Sequence, residues 1–196
     1  QRTGTEWYTY HLILNLAKID HLNQYLLYSP RPLGDEFKIL PANFKNKVLD
    51  WPLGKFWTQI RLSWEMLRRP PDVLFVPAHA LPIILPKKSV TTVHDIGFER
   101  HPQYYRKLAR WYLRFSTKFA LKRASKIITV SQFTKKELLD VYLADEKKIE
   151  VVPNGYRPIY RKIKPSQLSQ KFLNKAKIKK PFILSIGRLE KKKNTH

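Results

Sequence analysis

The chain contains no cysteine, so neither a disulfide framework nor a thiolate metal site can be built from it. That absence is compatible with a reducing cytoplasm. No apolar run approaches the roughly 20 residues that a membrane-spanning helix needs. Gln1 opens neither a signal peptide nor a chain with an initiator methionine, so the chain is expected to be cut at its start. No G-x-G-x-x-G follows a strand pattern, which argues against a nicotinamide-dependent enzyme. The histidines lack i, i+4 pairing and well-spaced carboxylate partners, so no metal site is expected. Acidic residues are scarce, 15 against 38 lysines and arginines, and none occurs between Glu99 and Glu137.

The resulting net charge of +23 predicts attraction to polyanions: nucleic acid, an anionic membrane surface, or phosphorylated substrates. Composition does not choose among them. A hydrophobic share of 43% over 196 residues fits a soluble globular class with a full core, one domain or one and a fraction.

The most informative stretch is KIITVSQFTKKELLDVYLADEKKIEVVPNGY, Lys126 to Tyr156. Lys126 to Val130 is a β-branched run, and Ser131 stands where a helix N-cap belongs. Leu138, Leu139, Tyr142 and Leu143 recur at helical spacing, and Lys148 to Val152 is a second β-rich run closed by Pro153-Asn154-Gly155. The unit is βαβ with parallel strands, a form found in many doubly wound proteins.

Upstream, Thr3-Gly4-Thr5 precedes a helical stripe of Trp7, Tyr10, Leu14 and Ala17, broadened by Ile13 and Leu16. Glycine there lets backbone N–H groups approach a phosphate; it equally serves a simple turn. Strands are expected at Tyr25 to Tyr28 and Phe37 to Leu40. A helix is expected over Leu53 to Arg69, with Phe56, Ile60, Trp64 and Leu67 on one side and Arg61, Arg68 and Arg69 toward the other, stopped by Pro70-Pro71. Asp72 to Val76 and Ser89 to Val93 read as buried strands, the first followed by His79 and the second by His94-Asp95. Ligands of open α/β sheets sit outside the carboxyl ends of strands, so His94 and Asp95 fall where chemistry is expected. A lone structural histidine is the bland alternative, and no role is assigned to His79 or His101.

Tyr104 to Ala124 carries Leu108, Trp111, Tyr112, Phe115 and Phe119 on one stripe. Lys107, Arg110, Arg114, Lys118 and Lys122 form another. The aromatic stripe is expected to be mostly core. The basic stripe suits an anionic membrane surface, because cations meet lipid phosphates; an ordinary solvated helix face is the alternative.

Four segments in order, TGTEWYTYHLILNLAK, SVTTVHDIGFERHPQYY, IITVSQFTKKEL…KIEVVPNGY and FILSIGRLEKKKN, resemble family 4 retaining glycosyltransferases, whose GT-B fold has two Rossmann-like domains. The resemblance implies an α/β class, a Rossmann-like doubly wound parallel sheet truncated at both ends. The acceptor-side domain would span 1–155 without its first strand, leaving a central sheet position unfilled. A linker with a short helix would span 156–180, and the opening strand and loop of the donor-side domain 181–196.

By the same resemblance His94 would hydrogen-bond the donor sugar near the reaction centre, and Asp95 would support that loop. Gly4 and Thr5 would belong to the donor-binding glycine loop, although Glu6 stands where many members carry a second glycine. Arg188 and Lys193 would contact the nucleotide-sugar diphosphate. The implied reaction moves a sugar from a nucleotide-sugar to a saccharide or lipid-linked acceptor with retention, without a bound metal or other cofactor. The family's Glu-x7-Glu element is expected beyond His196, and these residues alone are expected to be inactive. The expected location is cytoplasmic, peripheral at the inner face of the membrane. A non-catalytic module binding nucleic acid is the rival class, ranked below because no recognition helix, zinc finger or RNA platform motif is present.

Overall fold

The computed structural model describes residues 3–156, 173, 176–178 and 181. The chain divides into two compact units, 1–153 and 154–196. The short helix expected at 166–176 lies almost entirely outside the described residues, and the strand expected at 182–186 wholly so.

The first unit opens with α1 (Gly4–Ile19), whose start is set by a capping box: the Thr3 hydroxyl accepts from the Glu6 amide while the Glu6 carboxylate accepts from the Thr3 amide. β1 (Tyr25–Ser29) and β2 (Phe44–Val48) follow and pair in parallel, Tyr25 opposite Phe44 and Ser29 opposite Val48. After β2 a π-helical segment, Trp57–Leu62, runs directly into α2 (Ser63–Arg68). Then come β3 (Leu74–Val76), β4 (Ser89–Val93), a single turn α3 (Gly97–Arg100), α4 (Lys107–Arg123), β5 (Lys126–Thr129), α5 (Gln132–Tyr142) and β6 (Ile149–Val151).

β3 to β6 form a four-stranded parallel sheet in sequence order, and β1–β2 form a separate two-stranded sheet. The expected doubly wound α/β layout is present, with its strands divided between these two sheets. Register explains the layering. Thr91, Ile127 and Ile149 lie in one row across the sheet, so period-two alternation puts Val93, Ile127 and Ile149 on one face. There they share a core with Ala120 and Ala124 near the end of α4 and Leu138 of α5. Thr92 points to the other face, where its hydroxyl lies 3.3 Å from the Tyr8 hydroxyl of α1. A second core, Leu49, Leu62, Met66 and Leu74, lies under α2, and Val76 and Leu85 pack against both.

Four expectations are corrected. Phe37 to Leu40 is not a strand: Asp35–Phe37 is a 3₁₀ turn started at Gly34, and the pairing strand is the polar FKNKV of β2. Asn46 holds that strand by donating its side-chain amide to the Leu27 carbonyl and the Ser29 hydroxyl, so side-chain bonds compensate for poor β-propensity. The helix at 53–69 begins only after Phe56, which sits at φ 61°. Its π turn changes the angular spacing, so Leu62, Ser63, Glu65 and Met66 face the core while Phe56, Ile60, Trp64 and Leu67 are exposed.

The third correction concerns α4, whose buried residues are the small Ser116, Thr117 and Ala120. Small residues let the helix lie close to the sheet, and Leu108, Trp111 and Phe115 are left exposed, with Tyr112 and Phe119 half-buried. The fourth is Leu143, which does not continue the α5 stripe. It ends the helix at φ 51° and is 88% exposed.

Two stability changes of opposite sign follow. Glu65 is buried and bound by Lys47 at 2.6 Å and Arg61 at 3.3 Å. Burial opposes its ionisation, but these two hydrogen-bonded cations outweigh that and hold the carboxyl below its ordinary value. Glu65→Ala leaves both cations unmatched and should lower unfolding free energy by about 2 kcal/mol, less than a fully buried pair because the cations are partly hydrated. Leu143→Gly removes a left-handed side chain from a helix end and should raise stability by about 0.5–1 kcal/mol. Urea unfolding of both variants measures each shift.

Candidate active site at the exits of β3 and β4

β4 ends at Val93 and delivers His94 and Asp95; β3 ends at Val76 and delivers Pro77, Ala78 and His79. Two hydrogen bonds cross between these loops. His94 Nε2 lies 3.0 Å from the Pro77 carbonyl, and His79 Nε2 lies 2.9 Å from the Asp95 carbonyl. A carbonyl only accepts, so each ring donates from Nε2, and in the neutral ring Nδ1 keeps a lone pair. Each loop therefore holds the other through an imidazole. The Thr91 hydroxyl adds a third tie by donating to the Ala78 carbonyl at 2.6 Å.

His94 is fixed on its remaining sides by residues of two helices. The Tyr8 ring of α1 meets it edge to face, with centroids 4.9 Å apart at 87°. The Thr134 hydroxyl of α5 donates to the His94 carbonyl at 3.1 Å. Thr134 is itself placed by the cap of α5, its amide donating to the Ser131 hydroxyl at 3.1 Å. The half-buried His94 ring can thus present Nδ1 as an acceptor to a ligand hydroxyl.

Asp95 does not aim its carboxylate at the ring. Its Oδ1 accepts from the Gly97 amide at 2.9 Å, which turns the chain into α3. A Cβ on Gly97 would stand 3.3 Å from both Asp95 Oδ1 and the Tyr105 hydroxyl, so the turn fits a residue without a side chain best. α3 is anchored on both sides. Arg100 makes a two-pronged pair with Glu137 of α5, 2.7 Å on each prong. Glu99 accepts from Arg114 at 2.8 Å and from the Tyr142 hydroxyl at 2.6 Å, with Arg110 at 3.5 Å. The Arg100 hydrogen bond holds the Glu137 carboxyl below its ordinary value. Burial, reinforced by Glu99, raises the Tyr142 phenol well above its ordinary value.

The remaining candidate residues fall elsewhere. Gly4 is the first residue of α1, and a Cβ there would meet nothing within 4 Å. The Glu6 carboxylate closes over this helix start, placing negative charge where an anion would bind. Thr5 is half-buried, its carbonyl accepting from the Thr9 hydroxyl at 3.0 Å. Arg188 and Lys193 lie outside the described residues. His101 is exposed beside Tyr104 at the end of α3. Of the basic stripe, Lys107, Lys118 and Lys122 are exposed, whereas Arg110 and Arg114 are bound to Glu99. The stripe is therefore relieved by one carboxylate that lies outside the helix. Among the described residues, no cluster of histidines, aspartates and glutamates could hold a metal ion, and no helix is long and apolar enough to cross a membrane.

Sequence reasoning missed Tyr8, Thr134 and the clamping role of His79. Tyr8 carried a readable signal, since it follows Trp7 at the start of a helix, but its contact with β4 spans 84 positions.

Burial holds the His79 imidazole below its ordinary value of 6.5, against the Asp95 carbonyl and carboxylate, which favour the charged ring. Folding lowers this pKa, so between the two values the native protein binds fewer protons than the unfolded chain. The His79 contribution is complete above pH 6.5 and is lost as pH falls toward the lower native value. His79→Gln should flatten that portion of the stability profile, and unfolding midpoints of both proteins across pH 7.5 to 5, about the range in which histidine titrates, measure the difference.

Residues 2–158 match Glycosyltransferase Family 4 in a comparison with known families. No curated protein matches the chain. The match spans α1 through β6 and includes the whole His94 site, so the chain belongs to Glycosyltransferase Family 4 and carries a glycosyltransferase domain that works between a sugar donor and an acceptor.

Proposed function

We propose that the full-length enzyme transfers a hexose from a nucleotide-sugar to a lipid-linked or membrane-borne saccharide, with retention of anomeric configuration, at the inner face of the membrane. His94 is the residue that contacts the donor sugar. Its Nε2–H is already committed to Pro77, which supports Nδ1 as the acceptor of a sugar hydroxyl. Asp95 shapes the loop through Gly97. Arg188 and Lys193 neutralise the leaving diphosphate, whose negative charge grows as the glycosidic bond breaks. Protein cations carry this step in the proposal, with no cofactor and no metal assigned. Gly4 and Thr5 are the weaker part of the donor site, because Glu6 stands over the helix start.

The observation that carries the membrane-borne acceptor is α4. Leu108, Trp111 and Phe115 are 84%, 66% and 54% exposed, and they alternate with exposed Lys107, Lys118 and Lys122. Aromatic rings at headgroup depth with cations beside lipid phosphates are the composition of an interfacial helix.

Two measurements on the intact enzyme test the proposal. With a panel of UDP- and GDP-sugars and a lipid extract as acceptor, His94→Ala should lower turnover by about 100-fold or more, the scale of one lost hydrogen bond to developing charge. Its charge-driven binding to polyanions should remain near wild type. Unchanged transfer by His94→Ala would remove this residue from the site. At low salt, where screening is weakest, the enzyme should sediment with anionic vesicles. An enzyme that stays free of them, yet binds DNA with affinity falling steeply as salt rises, would favour the nucleic-acid module.

A further inference from the structure

The apolar side of the π–α2 segment lies open on the surface. Phe56, Ile60, Trp64 and Leu67 are between 50% and 61% exposed. The loop beside them adds Ile83, 57% exposed, whose amide donates to the buried Ser63 hydroxyl of α2 at 2.8 Å. This segment is tied to α4 directly: the Gln59 amide donates to the Tyr112 hydroxyl at 2.6 Å. The two bonded residues are the immediate neighbours of Ile60 and Trp111, which are exposed on their respective helices.

We infer that the 53–69 segment and α4 together form one two-helix face that seats on an anionic lipid bilayer, an inference that rests on the membrane-borne acceptor proposed above and enlarges its contact surface. The chemistry of the two segments is the same. On α4, Trp111 stacks on Phe115 with centroids 5.8 Å apart at 10°, and Arg123 lies over Phe119 at 5.9 Å. On α2, Arg68 lies over Trp64 at 5.6 Å. Exposed Lys55, Arg68 and Arg69 accompany the first stripe, as Lys107, Lys118 and Lys122 accompany the second.

No carboxylate faces outward from either helix. Glu65 belongs to the buried side of α2, under Lys47 and Arg61. Glu99 of α3 lies against α4 with its side chain 8% exposed, held by Arg110 and Arg114. Beside Trp111, an open depression of about 420 Å³ is lined by Gln103, Tyr105, Lys107, Arg110 and Arg114, cationic and aromatic as a headgroup phosphate requires.

Charge decides between occupants. A second copy would bring two strongly positive surfaces together, which self-repulsion opposes. Nucleic acid would satisfy the cations but would leave Ile60, Leu67 and Leu108 in water. A bilayer containing anionic lipid satisfies both, since phosphates meet the cations while the aliphatic and aromatic groups enter the acyl boundary.

The test uses this 196-residue chain and vesicles of phosphatidylcholine with and without phosphatidylglycerol. Wild type should co-sediment with the anionic vesicles only. Ile60→Ser combined with Trp64→Ser alters exposed positions and should weaken partitioning by about tenfold or more, given the apolar area withdrawn from the lipid. Trp64→Phe should still bind, but brominated acyl chains should quench less of its tryptophan emission than of wild type. If Lys118→Glu with Lys122→Glu weakens binding while the Ile60, Trp64 pair and the quenching of Trp64→Phe match wild type, the two-helix face is overturned and the α4 reading stands. If wild type binds neither vesicle, or closes into a dimer that excludes vesicles, both fail.

Discussion

Two imidazole-to-carbonyl hydrogen bonds, His94 to Pro77 and His79 to Asp95, set the geometry on which the candidate site depends. A parallel sheet fixes where strands end, but it leaves the loops beyond them free to splay. Here each loop donates to a backbone carbonyl of the other, so neither can move without breaking a bond made by its neighbour. The arrangement also determines the tautomer of both rings, because a carbonyl cannot donate. A ligand approaching His94 therefore meets a lone pair at Nδ1 of the neutral ring, already oriented by Tyr8 and by the Thr134 hydroxyl.

The turn that follows extends this constraint outward. Asp95 folds the backbone into α3, whose two charged residues then bind opposite ways, Glu99 toward α4 and Tyr142, and Arg100 toward Glu137. Three residues of loop and one turn of helix are thereby held against both helices that cover this face of the sheet. The Glu137 pair is partly buried and two-pronged, a geometry in which direction contributes as much as charge. The clamp at the strand ends and the anchors on α3 act on the same short segment, one from each side.

What was legible in the sequence was governed by local pattern. The βαβ unit from Lys126 to Val151, the Ser131 cap, β4 and the strand-end position of His94 all follow from alternation, capping chemistry and turn residues within short windows. What was not legible depended on partners distant in sequence. FKNKV of β2 looks unlike a strand because Asn46 bonds to β1 across 17 and 19 positions. The stripe at Phe56, Ile60, Trp64 and Leu67 obeys a 3.6-residue period, but the π turn abolishes that period at its start, and the buried side falls elsewhere. On α4 the larger stripe lost to the smaller residues, because Thr117 and Ala120 allow closer approach to the sheet than Trp111 or Phe115 could. Hydrophobic periodicity reports an apolar side; it does not report whether a neighbour covers it.

The same residues explain why the surface is more cationic than composition alone suggests. Glu65, Glu99 and Glu137 each lie inward and each bind at least one arginine, so these carboxylates act inside the fold. Only 15 acidic residues offset 38 basic ones, and placing some of the acids beneath the helices leaves their outer sides with lysine, arginine and aromatic groups. Coulomb attraction to a charged sheet grows with the charge that faces it and is screened over about 10 Å in ordinary salt. A surface whose negative groups are withdrawn below the backbone therefore acts at closer range and with greater force than the net charge spread evenly would. The internal ion pairs that anchor α3 and α2 and the outward cationic face are thus one arrangement, in which Glu65, Glu99 and Glu137, engaged in those anchors, are withdrawn from the outer sides of the helices.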